Sequence, residues 1–203
     1  MFGEPIDGPA FLDLVKRRRI VRNYTDEPVD GAVVDRILDA ARRGPSAGFS
    51  QGVSFVVVTS ESGRSTIADL ADEPAYVEAG FDPWISKAPV HVVVCVSEEV
   101  YRSRYREPDK SADGSEQDWP VPYWWVDAGA ALMLVLLAAV AEGLAAGFLG
   151  SHALDRLAET LGIPSEVRPI GIVTLGHPAP DRRSGSLARG RKPLDEVVHR
   201  ERW

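Results

Sequence analysis

Between Ala128 and Leu149 the chain reads AGAALMLVLLAAVAEGLAAGFL, and this stretch limits the possible folds more than any other. Its uncharged part ends at Glu142 and Gly143, leaving Ala128–Ala141. A helix of that length rises about 21 Å, short of the ~30 Å hydrocarbon core of a bilayer. The spacing therefore predicts a central helix, apolar on nearly every side, around which the remaining elements must pack. With 203 residues, 44% of them hydrophobic and 26% charged, the chain has the material for one such core and no linker that would split it in two.

The flanking sequence predicts what covers that helix. Pro9 after Asp7 and Gly8 starts a first helix, with Phe11, Leu14 and Val15 as its apolar stripe. Asp30 caps a second helix, in which Val33, Val34, Ile37, Leu38 and Ala41 recur at three- and four-residue spacing until Gly44-Pro45. The β-branched runs Val53–Ser60, Pro89–Ser97 and Ile170–Leu175 read as three buried strands. Ser62 is the expected cap of a short helix through Leu70. Leu154, Leu157, Ala158 and Leu161 mark another, closed by Gly162, and Leu194–His199 forms a short one in the tail. Gly143 and Gly147 are expected to serve close packing within the central helix. From Glu98 to Tyr123 apolar periodicity fails, so residues 98–125 read as a lid-like excursion with a mobile middle, Asp109–Asp118, and anchored aromatics.

Charge is distributed unevenly. The net charge of −7 argues against nucleic acid as a partner. Yet five of the 23 Lys and Arg fall in Lys16–Arg22 and seven in Arg182–Arg202, a placement that suits a compact anionic ligand. Solvated helix faces would explain either cluster alone. A single cysteine, Cys95 in an apolar strand, and a start lacking a basic segment before an apolar run point to the cytoplasm. No phosphate loop, dinucleotide fingerprint, zincin motif or nucleophile elbow is present, and the four histidines lack metal-ligand spacing. No metal is expected. Such a chain suits an enzyme whose cofactor carries the reaction while the protein binds and orients it.

Specific motifs narrow this further. Arg18-Arg19-Ile20-Val21-Arg22-Asn23-Tyr24 followed by Thr25-Asp26-Glu27-Pro28-Val29, then Pro45-Ser46-Ala47-Gly48-Phe49-Ser50-Gln51, resemble the RRSVRxF–TDEPV opening and the PSAxNxQPW loop of the FMN-dependent nitroreductases. The order continues through Asp127-Ala128-Gly129, an EGL turn leading to Gly150, Gly162-Ile163-Pro164, Leu175-Gly176-His177-Pro178 and Arg189-Gly190-Arg191-Lys192-Pro193. The resemblance implies an α+β, three-layer α/β/α sandwich with a mixed, mainly antiparallel sheet and a long buried central helix, forming a dimer. It implies that Arg18, Arg19 and Arg22, joined by Arg189 and Arg191, hold the FMN phosphate and ribityl chain, with Ile20 among them. Pro45, Ser46, Ala47, Gly48 and Gln51 would lie along the flavin from a partner subunit. Gly150 and Ser151 would bring backbone N–H groups to the hydride-accepting edge of the ring, stabilising the reduced flavin without a titratable side chain.

The sequence departs from the family pattern at Ile20, which replaces a serine, at Phe49, which replaces an asparagine, and at Gly52-Val53, which replace Pro-Trp. The implied reaction is hydride transfer from NADH or NADPH, through FMN, to a small planar electron-poor acceptor of nitroaromatic, quinone or enone type. Two alternatives stay open. PSAGFSQ is also similar to the PSVGFMQ of oxygen-using enzymes that fragment reduced FMN, although those carry Asp where this chain has Ile20. A flavin-binding carrier or sensor without turnover is the other. Tyr101, Arg104, Tyr105 and Trp119 are candidates for a lid that stacks on the acceptor, and Trp124 and Trp125 for core packing. A helix apolar on all sides in so small a subunit further predicts a homodimer.

Overall fold

The structure is a computed structural model that describes residues 7–182 and 184–203. The first six residues, which entered the expectation of no leader segment, and Arg183 of the second basic cluster lie outside the described residues. The chain runs α1 (Gly8–Arg17), α2 (Gly31–Ala41), β1 (Val53–Val58), α3 (Glu61–Leu70), α4 (Glu73–Glu78), β2 (Val90–Val96), α5 (Glu98–Tyr105), α6 (Tyr123–Ala141), β3 (Ala145–Gly150), α7 (Leu157–Thr160), β4 (Arg168–Gly176) and α8 (Leu194–Val197).

The four strands form one sheet in the order β1-β2-β4-β3, and each neighbouring pair is antiparallel. The only parallel element among the described residues is a single bridge between Ile20 and Ala146, outside the named strands. β2 is buried along its whole length because it is central and both faces are covered, which is why its sequence is an unbroken apolar run. Alternate residues divide the core. Val90, Val92 and Val94 pack with Val173 and Leu175 under α2 and α6, whereas Val93, Cys95 and Ile172 pack with Ile67, Trp84 and Leu157 on the other face.

α6 lays Trp124, Asp127, Ala128, Ala131, Val135 and Ala139 onto the sheet at three- and four-residue spacing. Its opposite stripe, including Val126 and Met133, is exposed, so the helix is covered on one side only. α6 begins at Tyr123, five residues before the expected start, so that by length and composition alone it is long enough to cross a membrane, yet its buried stripe packs into the core of this fold. Arg36 of α2 clamps its C-terminal end through a two-pronged contact with Glu142 at 2.9 and 2.7 Å. Gly143, at φ +78°, then reverses the chain while the Leu144 N–H donates to the Ala139 carbonyl.

Several expectations are corrected. Ser60, not Ser62, caps α3, its side chain accepting from the Gly63 N–H. β1 is an edge strand and half-buried rather than buried. Residues 98–105 form helix α5, and Arg102 and Arg106 of this excursion contact Glu116 in its middle. Gly143 and Gly147 lie outside the central helix, and Ala145–Gly150 is a fourth strand. Leu154 precedes α7, which is a single turn. Trp125 is exposed, whereas Trp124 is buried as expected.

Candidate FMN site

The first basic cluster is positioned by the edge of the sheet. Lys16 and Arg17 close α1, and the chain then runs alongside β3, where the Val21 N–H donates to the Ala146 carbonyl at 2.9 Å. This approach requires glycine at 147: a Cβ there would lie 2.7 Å from the Val21 carbonyl oxygen and from Cζ3 of Trp84, and 2.6 Å from Thr174 Oγ1. Tyr24 pins the far end of the segment. Its buried hydroxyl lies 2.7 Å from Thr174 Oγ1 and 3.0 Å from the Val21 carbonyl, and burial raises its pKa. The start of the tail is zipped to the same segment, the Thr25 N–H donating to His177 and the Asn23 amide to the Pro180 carbonyl.

Arg22 is the junction. Its guanidinium lies 5.7 Å from the centre of the Trp84 ring, within cation–π range. It borders two adjoining cavities that also share Tyr76: one of about 270 Å³ reaching Trp84, Ile85 and Leu149, the other of about 280 Å³ reaching Phe81, Asp82, Asp181 and Arg182. Leu149 leads directly to Gly150 and to the single 3-10 turn Ser151–Ala153. The Ser151 N–H, first in that turn, has no acceptor within it. The imidazole of His152 covers Gly150 so closely that a Cβ at Gly150 would lie 2.8 Å from Nδ1.

The second group of expected residues is elsewhere. Pro45–Gln51 is a tight loop between α2 and β1 in which Gly48, Phe49 and Gln51 all have φ near +60°. Two of these are not glycine, so the loop holds strain that its neighbours must stabilise. Asp127 of α6 accepts the Ala47 N–H at 2.8 Å, Ser46 Oγ accepts the Gln51 N–H at 2.7 Å, and Nε of Arg104 donates to the Gly48 carbonyl at 3.0 Å. Phe49 is thereby held out to solvent, 74% exposed. Beside it a cavity of about 470 Å³ opens between Arg42, Pro45, Ser46, Gln51 and Asp127.

The lid candidates pack against this loop. Tyr105 covers Gly48, where a Cβ would lie 2.6 Å from its ring, and meets Trp119 edge-on at 4.7 Å. Arg104 is held by Asp109 at 2.6 and 2.7 Å, which lowers that carboxyl to about 2. Tyr101 corrects its expectation: it is fully buried with its ring against Gly52, and burial first, then the Asp127 carboxylate, raises its pKa. It belongs to the core and offers no face to an acceptor.

The structure thus assembles Arg18–Arg22, Gly150 and Ser151 at the β3 edge and Pro45–Gln51 at the β1 edge. Three inter-strand steps, about 14 Å, separate those edges within one chain. Arg189 ends a short 3-10 segment, and with Arg191 it lies exposed in the tail. Pairing sets the arginines apart. Arg36, Arg42, Arg43, Arg102, Arg104, Arg106 and Arg156 all contact carboxylates. Among the described residues, Arg18, Arg19, Arg22, Arg189 and Arg191 have no carboxylate within 4.0 Å, and neither do Arg64, Arg168, Arg182, Arg200 and Arg202. Of the expected cofactor arginines, Arg22 borders the cavities beside β3, where an unpaired guanidinium fits a phosphomonoester joined to a flat ring, whereas no contact among the described residues brings Arg189 or Arg191 to it. Sequence reasoning missed Tyr76, Phe81, Asp82, Trp84 and His152, which border this site. The FDPW turn was the one available signal for Phe81, Asp82 and Trp84.

A family model described as "Nitroreductase family" matches residues 15–177. The chain belongs to the nitroreductase family. It is 32% identical over 193 residues to an FMN reductase [NAD(P)H] of Bacillus subtilis, covering 91% of this chain and 71% of that protein. It is 28% identical over 200 residues to an NADPH-dependent oxidoreductase of Staphylococcus aureus, covering 94% and 73%. The crystal structure of nitroreductase A from Vibrio parahaemolyticus superposes with a TM-score of 0.71 at 25% identity, covering 96% of this chain and 76% of that one. Family membership agrees with the expected α+β nitroreductase fold, while the central helix is buried along one stripe rather than on all sides. The sheet differs from the expected mixed one: its four strands are all antiparallel, and the single parallel bridge of Ile20 with Ala146 lies outside them.

Proposed function

We propose that this nitroreductase-family protein is an FMN-dependent NAD(P)H oxidoreductase working by ping-pong transfer to a small planar electron-poor acceptor. Its relatedness to an FMN reductase [NAD(P)H] and to an NADPH-dependent oxidoreductase supports the coarser activity. The observation that carries the site assignment is the unpaired Arg18, Arg19 and Arg22 segment laid along β3 toward Gly150.

FMN bound here would supply two-electron chemistry between the reduced nicotinamide and the acceptor. The chain's own residues bind and orient. Arg18, Arg19 and Arg22, with Arg189 and Arg191, neutralise the phosphate through charge-assisted hydrogen bonds, and Ile20 keeps the segment in register with Ala146. Gly150 and Ser151 would hold the ring through backbone N–H groups and so stabilise negative charge on the reduced cofactor. Pro45, Ser46, Ala47, Gly48 and Gln51 complete the site from a second copy of the chain. Two features support an isologous homodimer: α1 buries none of its residues, and Phe11, Val15, Val126 and Met133 are exposed on α1 and α6. Arg104, Tyr105 and Trp119 act on the acceptor through the Pro45–Gln51 loop that they brace. A cytoplasmic location, with no nucleic-acid, membrane or metal partner, completes the proposal.

The test is the absorption spectrum of the purified protein under anaerobic conditions, with NADH or NADPH added and then a quinone or nitroaromatic. Bleaching followed by full recovery is the expected result. Permanent loss of the chromophore in air would replace this reading with flavin fragmentation, and absence of bleaching with a carrier or sensor.

A further inference from the structure

Between α4 and β2 the chain crosses the sheet face that carries Val93, Cys95 and Ile172 as an irregular strap, residues 81–88. Trp84, Ile85 and Ala88 of this strap are buried, so its backbone polar groups lie away from water and need partners. Among the described residues no hydrogen bond from the backbone of a named strand or helix reaches Ile85, Ser86 or Ala88. Three ionisable side chains from three elements do. Glu73, at the start of α4 and only 5% exposed, accepts the Ile85 N–H at 2.5 Å through Oε1 and the Ser86 N–H at 3.1 Å through Oε2. His91 of β2 donates from Nε2 to the Ile85 carbonyl at 2.7 Å. Arg64 of α3 donates from Nη1 to the carbonyls of Ser86 and Ala88 at 3.1 and 3.0 Å.

We propose that Glu73 is a positioning residue of the FMN site: by clamping Ile85 and Ser86 it sets Trp84 between β3 and Arg22, and so aims the Arg22 guanidinium. This rests on the assignment of Arg22 to FMN above. The residue immediately before the clamp is Trp84, whose ring occupies the space vacated at Gly147 and faces Arg22. Arg22 has no carboxylate within 4.0 Å among the described residues, so the Trp84 ring is the contact that limits where its guanidinium points. A carboxylate suits the clamp because both of its oxygens accept, and two successive N–H groups need two acceptors. A carboxamide would turn its NH₂ toward one of them.

The geometry fixes the sign of the effect. Glu73 lines the same cavity as Arg22. A residue acting only through its charge would oppose an anionic cofactor, and Glu73→Gln would then tighten FMN binding. A clamp predicts the reverse. Fluorescence titration of apoprotein with FMN on wild type, Glu73→Gln, Arg22→Ala and the double variant reads this directly. The expected result is an FMN Kd about tenfold higher for Glu73→Gln in the wild-type background, and less than twofold higher when Arg22 is already alanine. An unchanged or tighter Kd for Glu73→Gln, or an equal loss in both backgrounds, overturns the proposal while leaving the Arg22 assignment standing. An Arg22→Ala Kd equal to wild type overturns the assignment, and this inference with it. Should Glu73→Gln not fold, amide hydrogen exchange on the wild-type holoprotein decides. Ile85 and Ser86 are expected to be protected as strongly as the β2 amides, and rapid exchange at both refutes the clamp.

Discussion

Acidification should weaken the fold through His91, and the size of the effect follows from its surroundings. The ring is fully buried, Nε2–H is committed to the Ile85 carbonyl, and Nδ1 has no partner among the described residues. Burial pushes its pKa down from 6.5 to about 4. The Ile85 hydrogen bond acts in the opposite direction, the Arg64 guanidinium lowers the pKa further, and the Glu73 carboxylate raises it. In the unfolded chain the imidazole takes a proton near pH 6.5, whereas the fold refuses it until about pH 4. Between those values the unfolded state holds more protons, so stability falls as pH falls. The contribution is present in full above pH 6.5, and at 1.36 kcal/mol per pH unit about 2 kcal/mol is gone by pH 5 and about 3 kcal/mol at pH 4 and below. Urea unfolding of wild type and His91→Gln at pH 7.5, 6 and 5, at one protein concentration, isolates this term. Carboxylates titrate in both proteins, and glutamine keeps a donor for Ile85 without titrating. The stability advantage of wild type over the variant should shrink by about 2 kcal/mol between pH 7.5 and 5. An advantage that is the same at both would show that His91 is not held neutral by burial, and the account of the strap's interior would fail with it.

Other outcomes follow from the same geometry. Arg18→Ala, Arg22→Ala and Arg191→Ala should each weaken FMN binding, by about 1.5–3 kcal/mol for a charge-assisted hydrogen bond, read as flavin lost on dialysis; full yellow occupancy in all three would refute the phosphate assignment. Gly147→Ala drives a methyl group into Trp84, Thr174 and the Val21 carbonyl and should cost about 1–3 kcal/mol in thermal unfolding, with an unchanged Tm as the contrary result. Tyr105→Ala uncovers Gly48 and should change acceptor kinetics while FMN stays bound, whereas wild-type kinetics with several acceptors would remove Tyr105 from any functional role. Light scattering of dilute holoprotein should give a dimer, and a stable 22.1 kDa species that retains FMN would refute the shared site.

What the sequence revealed depended on whether a segment's own pattern or a distant contact decides its structure. α2 and β2 were legible because cap, period and burial agree within each segment. α5 was not, since only Tyr101 of its eight residues is buried and the helix rests on charged pairs such as Glu98–Arg102, which leave no apolar period to read. β3, AAGFLG, has the composition of a continued helix. It becomes a strand because Gly143 reverses the chain and β4 receives it, and because Gly147 leaves room for Val21 and Trp84. The same division runs through the site. Each arginine and the Pro45–Gln51 loop could be named one by one from their motifs, but their placement on opposite edges of the sheet is a property of strand order alone. Strand order also explains why the site proposed here needs a second copy of the chain. Two copies related by a two-fold axis can bring the β3 edge of each to the β1 edge of the other, forming two equivalent sites from surfaces that one chain keeps about 14 Å apart.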